Sequence, residues 1–366
     1  MSIKNGQRVT YSPIGIDIGT RSINIVQLAK SSRGLCIHEA DIMMLPDEKV
    51  MKESTIADAL SGIIKRNNLK GKEIVSRMSP SLVSIIPIKI SQREGESVEQ
   101  AILRESKEYL PCPVEDAVID YLPINNIAEG ADGTKKFLLI FVKRSDVESH
   151  INVFKKVGFK VSAIDIGPNA INRAIKRFRK PSEKRILVIN VGDVSSFSTI
   201  LWDDMLLIDR KMGWGENNII EKIVSNLDIG IDEARKVMYK YGIDWASSPR
   251  ISIDDTLSVM PDEDIPAHIY EIVAPGLEDL NKEIEKMLIY CTSEMKGAMI
   301  DQIYFMGSGG LLKHLHVYLQ KTFGISVRPF EPEEIFSHAG ELKRIVKDNF
   351  PIFIISIGLA LRGYNA

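Results

Sequence analysis

The sequence predicts an α/β protein built from two related lobes, and three observations predict it. Gly15-Ile16-Asp17-Ile18-Gly19 is echoed by Ile189-Asn190-Val191-Gly192, and Asp17 and Asn190 stand 173 positions apart (190 minus 17), nearly half of the 366-residue chain. Each copy opens a strand–turn–strand–strand run followed by helices. A half-length echo reads as duplicated lobes, because solenoid repeats recur every 20–50 residues or so, roughly. The length fits two domains on the soft prior of about 150 residues each. Apolar residues are 44% and charged residues 26%, so a core forms without disulfides or metal.

The same composition excludes several classes. Net charge is -2 with both signs interspersed, which leaves no basic footprint for nucleic acid. Cys36, Cys112 and Cys291 are far apart with no CxxC spacing, which argues against a zinc site or a disulfide framework and suits a reducing cytosol. Met1–Pro13 is polar and lacks a signal-peptide core. The longest apolar run, Ile352–Leu361, is ten residues, against about 20 for a membrane-spanning helix. The expectation is a cytoplasmic protein with no direct membrane insertion.

In chain order, residues 1–12 read as a flexible leader. Ile14–Asp17 is apolar up to an acid and then meets Gly19, as a buried strand entering a turn does. Ile23–Leu28 returns as a strand, and residues 35–45 give a third. Ile56, Leu60, Ile63 and Ile64 share one helical face. Ser81–Ile90 is rich in β-branched residues, and Pro87 marks it as an edge strand. Ser97 with Gln100 predicts a capping box, and so does Ser145 with Glu148. Asp120–Ile124, Phe137–Val142 and Val161–Ile166 read as strands, and Pro168 opens a helix through Ile171, Ala174, Ile175 and Phe178. The charged segment Arg179–Lys184 reads as the lobe boundary. Beyond it, Ile186–Val191, Phe197–Trp202 and Leu206–Arg210 read as strands, the last two joined by Asp203–Asp204. Two helices follow, then a polar loop over 243–264, a helix from about Ala267 to Cys291 broken at Pro275–Gly276, and a strand Gln302–Met306 entering a glycine-rich turn.

Four loops could carry chemistry. In Asp17-Ile18-Gly19-Thr20-Arg21-Ser22, backbone amides beside Gly19 can approach phosphate oxygens, Thr20 and Ser22 add hydroxyls, and Asp17 could hold magnesium. Asn190, Gly192, Asp193 and Ser196 repeat the arrangement in the second half. Gly213-Trp214-Gly215-Glu216 turns into a helix. Gly307-Ser308-Gly309-Gly310 lets backbone lie flat against a nucleoside. Each, taken singly, also reads as a plain structural turn.

Order, spacing and length together resemble the actin-like ATPase fold, of the ribonuclease H-like duplicated type, and the detail resembles the PilM family of type IV pilus assembly. The carrying segments are "GIDIGTRSINIVQL", "ESKEYLPCPVEDAVIDY", "VGFKVSAIDIGPNAINRAI", "IYFMGSGGLLKHL" and "SIGLALRG". The resemblance implies a first lobe over 13–180 with a small α+β subdomain inserted at about 78–160. It implies a second lobe over 181–366 with a helical subdomain at about 216–295, a closing helix returning to the first lobe, and a cleft between the lobes for ATP or ADP with Mg2+. It implies a scaffold peripheral to the inner membrane that binds the cytoplasmic tail of a PilN-like membrane protein, with other platform proteins and the motor ATPase as indirect partners. For the tail, the edge residues Val83, Ile85 and Pro87 are the candidates. Departures from the family pattern bear on turnover: Asn190 stands where an Asp is usual, Trp214 breaks a Gly-Gly turn, and Arg235 and Met238 replace a Glu and a Lys. An amide gives no carboxylate for metal or attacking water, so binding of ATP is expected over its hydrolysis. An FtsA-like filament protein and a small-molecule kinase are the alternatives.

Overall fold

The computed structural model of the chain describes residues 9–363, apart from 33, 47–51, 125–133, 178, 244–264, 296 and 337–341. The strands and helices up to the chain's midpoint are β1 (Thr10–Tyr11), β2 (Ile14–Ile18), β3 (Ser22–Ser31), β4 (Gly34–Met44), α1 (Glu53–Arg66), β5 (Glu73–Arg77), β6 (Ser84–Ile90), α2 (Val98–Ser106), β7 (Ala117–Pro123), β8 (Lys135–Lys143), α3 (Arg144–Lys156), β9 (Lys160–Asp165) and α4 (Gly167–Ile175). The rest are β10 (Arg185–Val191), β11 (Ser196–Trp202), β12 (Met205–Met212), α5 (Asn217–Leu227), α6 (Ile231–Tyr241), α7 (Ile265–Glu294), β13 (Gln302–Gly307), α8 (Leu315–Phe323), β14 (Val327–Pro329), α9 (Pro332–Ile335), α10 (Arg344–Asp348) and α11 (Phe350–Ala360).

Two sheets repeat one plan. In the first, β2 pairs antiparallel with β3 and parallel with β5, β5 pairs parallel with β9, and β4 lies beyond β3. In the second, the order is β12-β11-β10-β13-β14, with β10–β13 and β13–β14 parallel. The central parallel strands carry buried, mainly apolar runs, Ile186–Ile189 in β10 and Ile303–Met306 in β13, as strands covered on both faces do. The β11–β12 turn has Asp203 and Asp204 at φ 47° and 68°, the pair of positive values that a tight two-residue hairpin requires and that Asp tolerates. Chain contacts divide the molecule into unit 1 (1–180, 201–208 and 331–366) and unit 2 (181–200 and 209–330).

Within unit 1 the first sheet packs Ile14, Ile16, Ile23 and Ile25 against Leu60 and Ile63 of α1 and Val153 and Phe154 of α3. A separate sheet, β6-β8-β7, has its own apolar cluster, in which Ile88 and Ile90 meet Ala101 and Ile102 of α2. The apolar run at the C-terminus is α11, buried on all sides. It packs so tightly that a Cβ on Gly358 would lie 1.9 Å from the Ala170 carbonyl oxygen, and one on Gly15 would lie 2.0 Å from that of Ser356.

Several expectations need correcting. Thr10–Tyr11, assigned to the leader, pair with β3, while residues 1–8 lie outside the described residues, as do Phe178 and 244–264. The capping box at Ser97 and Gln100 forms, but the one at Ser145 does not, because β8 runs directly into α3 and the helix already includes Arg144. Helix α7 runs unbroken through Pro275. Its buried face from Ile265 through Leu277 to Cys291 holds the helix together across the hydrogen bond that Pro removes.

Candidate functional site

In unit 1 the register Asp17↔Asn24 and Ile18↔Ile23 leaves Gly19-Thr20-Arg21 as the connection to Ser22. The Gly19 amide donates to the Ser22 carbonyl at 2.9 Å, and the Leu45 amide donates to that of Arg21 at 2.8 Å. The Ser22 hydroxyl donates to Asn24 Oδ1 at 3.2 Å. A Cβ on Gly19 would come 3.2 Å from the Ser22 carbonyl oxygen, so the close turn favours glycine. Asp17, expected to hold magnesium, instead accepts from Arg77, whose Nε lies 2.5 Å from its Oδ1, and both side chains are buried. The parallel register Ile16↔Ser76 brings the end of β5 beside Asp17. His150 Nε2 lies 3.2 Å from Ser76 Oγ. Burial, then the positive Arg77, pushes the His150 pKa down to about 4.

Unit 2 gathers the other three predicted loops. Val191 of β10 pairs with Gly307 of β13. Gly307 has φ +69°, and a Cβ there would stand 2.3 Å from the Val191 carbonyl oxygen and 2.6 Å from Asn190 Oδ1. Gly309 lies against the Val191 side chain, where a Cβ would be 2.5 Å from it. A Cβ on Gly192 would meet the Ser195 carbonyl oxygen at 2.7 Å, and one on Gly215 would meet that of Asp193 at 2.5 Å. The amides of Glu216 and Asn217 donate to the carbonyls of Gly192 and Asp193, both at 2.9 Å. Thus the entry to α5 is bonded to the loop after β10, and the turn after β13 lies on its other flank. Gly213 meets no atom within 4 Å at the Cβ position, so sterics do not explain it. Ser196 starts β11 with its Oγ buried and without a hydrogen-bond partner.

The sequence marks Trp214, Glu216 and Arg235 without the contacts they make here, and it does not mark Tyr239. Trp214 is buried and its indole donates to the Gly276 carbonyl at 2.7 Å, which fixes the loop on α7. Glu216 is buried and accepts from the Tyr239 hydroxyl at 2.6 Å. Burial pushes its carboxyl upward, with Asp193 acting in the same direction, against hydrogen bonds from Ser308 and Tyr239. Arg235 donates from Nη2 to Asn217 Oδ1 at 3.1 Å, with that nitrogen 3.8 Å from Asp193 Oδ1. The Arg235 Nε is buried without a hydrogen-bond partner. In sequence Trp214 and Arg235 are departures from the family pattern; the polar contacts of Glu216 and Arg235 depend on α6 and the loops meeting in space.

The peptide-docking candidates lie in unit 1. Among the described residues β6 pairs with β8 alone, at the edge of its sheet. The strand starts at Ser84, three residues later than Ser81, and Val83 precedes it. Ile86, Ile88 and Ile90 face the cluster with α2. Strand alternation therefore puts Ile85 and Pro87 on the opposite face, and Pro87 is exposed.

The family model described as type IV pilus assembly protein PilM matches residues 15–248. The chain is similar to the solved PilM–PilN type IV pilus biogenesis complex at 20% identity, over 97% of this chain and 99% of that one, with a TM-score of 0.78. It is similar to the ethanolamine utilization protein EutJ from Carboxydothermus hydrogenoformans at 12% identity over 96% of this chain and 89% of that one, with a TM-score of 0.54. It is also similar to ADP-bound MreB5 of Spiroplasma citri at 13% identity over 98% and 99%, with a TM-score of 0.53. The fold is that of the actin-like ATPases.

Proposed function

The chain belongs to the type IV pilus assembly PilM family, and from that premise we propose that it is a nucleotide-binding scaffold of the pilus platform, held at the cytoplasmic face of the inner membrane by the tail of a PilN-like protein. No described helix is long and apolar enough to cross a membrane, so attachment through a partner fits. The observation that carries the partner reading is the edge of β6. An extended peptide satisfies the unpaired backbone groups of such an edge, while side chains on one face select its sequence. Val83, Ile85 and Pro87 supply that face. The test is a titration of the PilN-like cytoplasmic tail against the full chain and against a Val83→Asp, Ile85→Asp variant shown to be folded. Saturable binding to the parent and at least tenfold weaker binding to the variant are expected. Undiminished binding moves the site off β6, and no binding to the parent refutes the tail as partner.

The ligand of the glycine loops is ATP or ADP. Gly192, Gly215 and Gly307 strip side chains from the surfaces where loop backbones meet, Gly309 makes room for the Val191 side chain, and amides beside such turns suit phosphate oxygens. ADP in MreB5 supports the reading. Turnover is expected to be slow, since Asn190 offers an amide where the family pattern has an acid.

A further inference from the structure

Actin-like nucleotide sites imply a magnesium ion, and the donors in this chain do not fit one. Mg2+ is ordinarily held by one or two carboxylates together with waters and substrate phosphates. Each candidate acid beside the glycine loops is otherwise engaged. Asp17 Oδ1 lies 2.5 Å from Arg77 Nε, with 7% and 8% of the two side chains exposed. In the second half the corresponding residue is Asn190, which has no carboxylate, and its Oδ1 is packed beside Gly307. Asp193 has the Arg235 guanidinium 3.8 Å away. Glu216 is buried and takes the Tyr239 hydroxyl, and burial favours its neutral acid. Among the described residues no group of three or more His, Cys, Asp and Glu side chains is arranged to hold a metal ion.

Fixed positive charge stands where a cation's charge would be needed. Arg235 lies on α6 against the loop after β10, tethered through Asn217. Its Nε is buried and has no hydrogen-bond partner, an orphan donor that a phosphate oxygen satisfies in the charge-assisted way that guanidinium groups favour. We propose that this chain binds its nucleotide without a divalent cation, as the free phosphate anion, with the Arg235 guanidinium supplying the counter-charge. The inference rests on the nucleotide reading above and specifies the form of the ligand.

The test is calorimetric titration of ATP into the full chain in 5–10 mM EDTA, about 100-fold above typical protein concentrations, and in an equal excess of MgCl2, at matched ionic strength because exposed charge interactions are screened by salt. Equal affinity, within threefold, is expected. Weakening by more than threefold in EDTA overturns the inference and leaves the nucleotide reading standing. Binding in neither buffer defeats the nucleotide reading and the inference with it. Arg235→Gln, checked for an unchanged melting temperature, is expected to lose at least fivefold in affinity in EDTA. Unchanged affinity in the variant removes Arg235 as the counter-charge and overturns the proposal.

Discussion

The loop after β2 and the loop after β10 are built alike and charged differently. In both, a glycine follows a buried strand, and its Cβ position faces the carbonyl of the residue three further on, at 3.2 Å for Gly19 and 2.7 Å for Gly192. In unit 1 the acid near the end of the strand, Asp17, is kept and is neutralised by a buried arginine. In unit 2 the acid has become Asn190, and the charge pair has moved to Asp193 and Arg235, where it is longer and more exposed. A duplicated backbone constrains glycines more than it constrains charges. The turn geometry depends on steric gaps that only glycine leaves, while a carboxylate can be answered by any cation that reaches it.

The largest contrast should come from the arginines. Arg77→Ala leaves Asp17 buried and unpaired, and is expected to cost about 3–5 kcal/mol. Arg235→Ala should cost less than about 1 kcal/mol, as weak, partly exposed pairs do. Urea unfolding measures both, and similar costs would break the distinction between a locked and a loose charge pair.

Acid should act on unit 1 through His150. Its folded pKa, about 4, lies below its ordinary value of 6.5, so the unfolded chain binds the proton more tightly. Stability is therefore complete above pH 6.5 and declines as pH falls towards 4, by up to roughly 3 kcal/mol. His150→Gln should flatten that decline in a urea series across this range. Glu216 in unit 2 works in the opposite sense. Its raised carboxyl contributes fully below the unfolded value of 4.5, and that contribution fades as pH rises through the folded value. Glu216→Gln should accordingly gain stability relative to the parent at pH 8 compared with pH 5; an equal difference at both would contradict the assignment.

Smaller effects separate the glycines. Gly192→Ala forces a backbone oxygen away and should cost about 1–3 kcal/mol, with Gly19→Ala below it because its contact is looser. Reversed ranks would show that the two turns relax differently from their static geometry. Smallest in absolute rate, Asn190→Asp should raise phosphate release from ATP above the parent's, measured at steady state with magnesium; an unchanged rate would mean that the amide is not what limits turnover.

Much of this was legible in the sequence. The half-length echo and the glycine loops gave the duplicated α/β plan, and Pro87 gave the edge of β6. Asp203–Asp204 marked a turn whose positive φ values the structure bears out. What stayed hidden depends on contacts distant in the chain. Arg77 and Asp17 are 60 positions apart and meet only because β2 and β5 are parallel in one register. Ser145 matched a capping pattern, yet the strand before it leaves no room for a cap. Pro275 looked like a break because local propensity cannot see the buried face that carries α7 through it. Glu216 stood in a turn and Arg235 as a departure from the family pattern, and the contacts of both follow from α6 lying against the loop after β10 and the start of α5.

Amide hydrogen exchange of the full chain with and without saturating ATP, read separately at Thr20–Ser22 in unit 1 and at Asp193–Ser195 and Ser308–Gly310 in unit 2, locates the nucleotide segment by segment. Binding by the unit 2 loops predicts slower exchange at Asp193–Ser195 and Ser308–Gly310, with β7 and the exposed face of α2 unchanged, and Thr20–Ser22 is read by itself as the test of the unit 1 loop. Exchange that is unaltered at the loops while ATP is shown to bind would contradict it, and would place the nucleotide elsewhere on the chain.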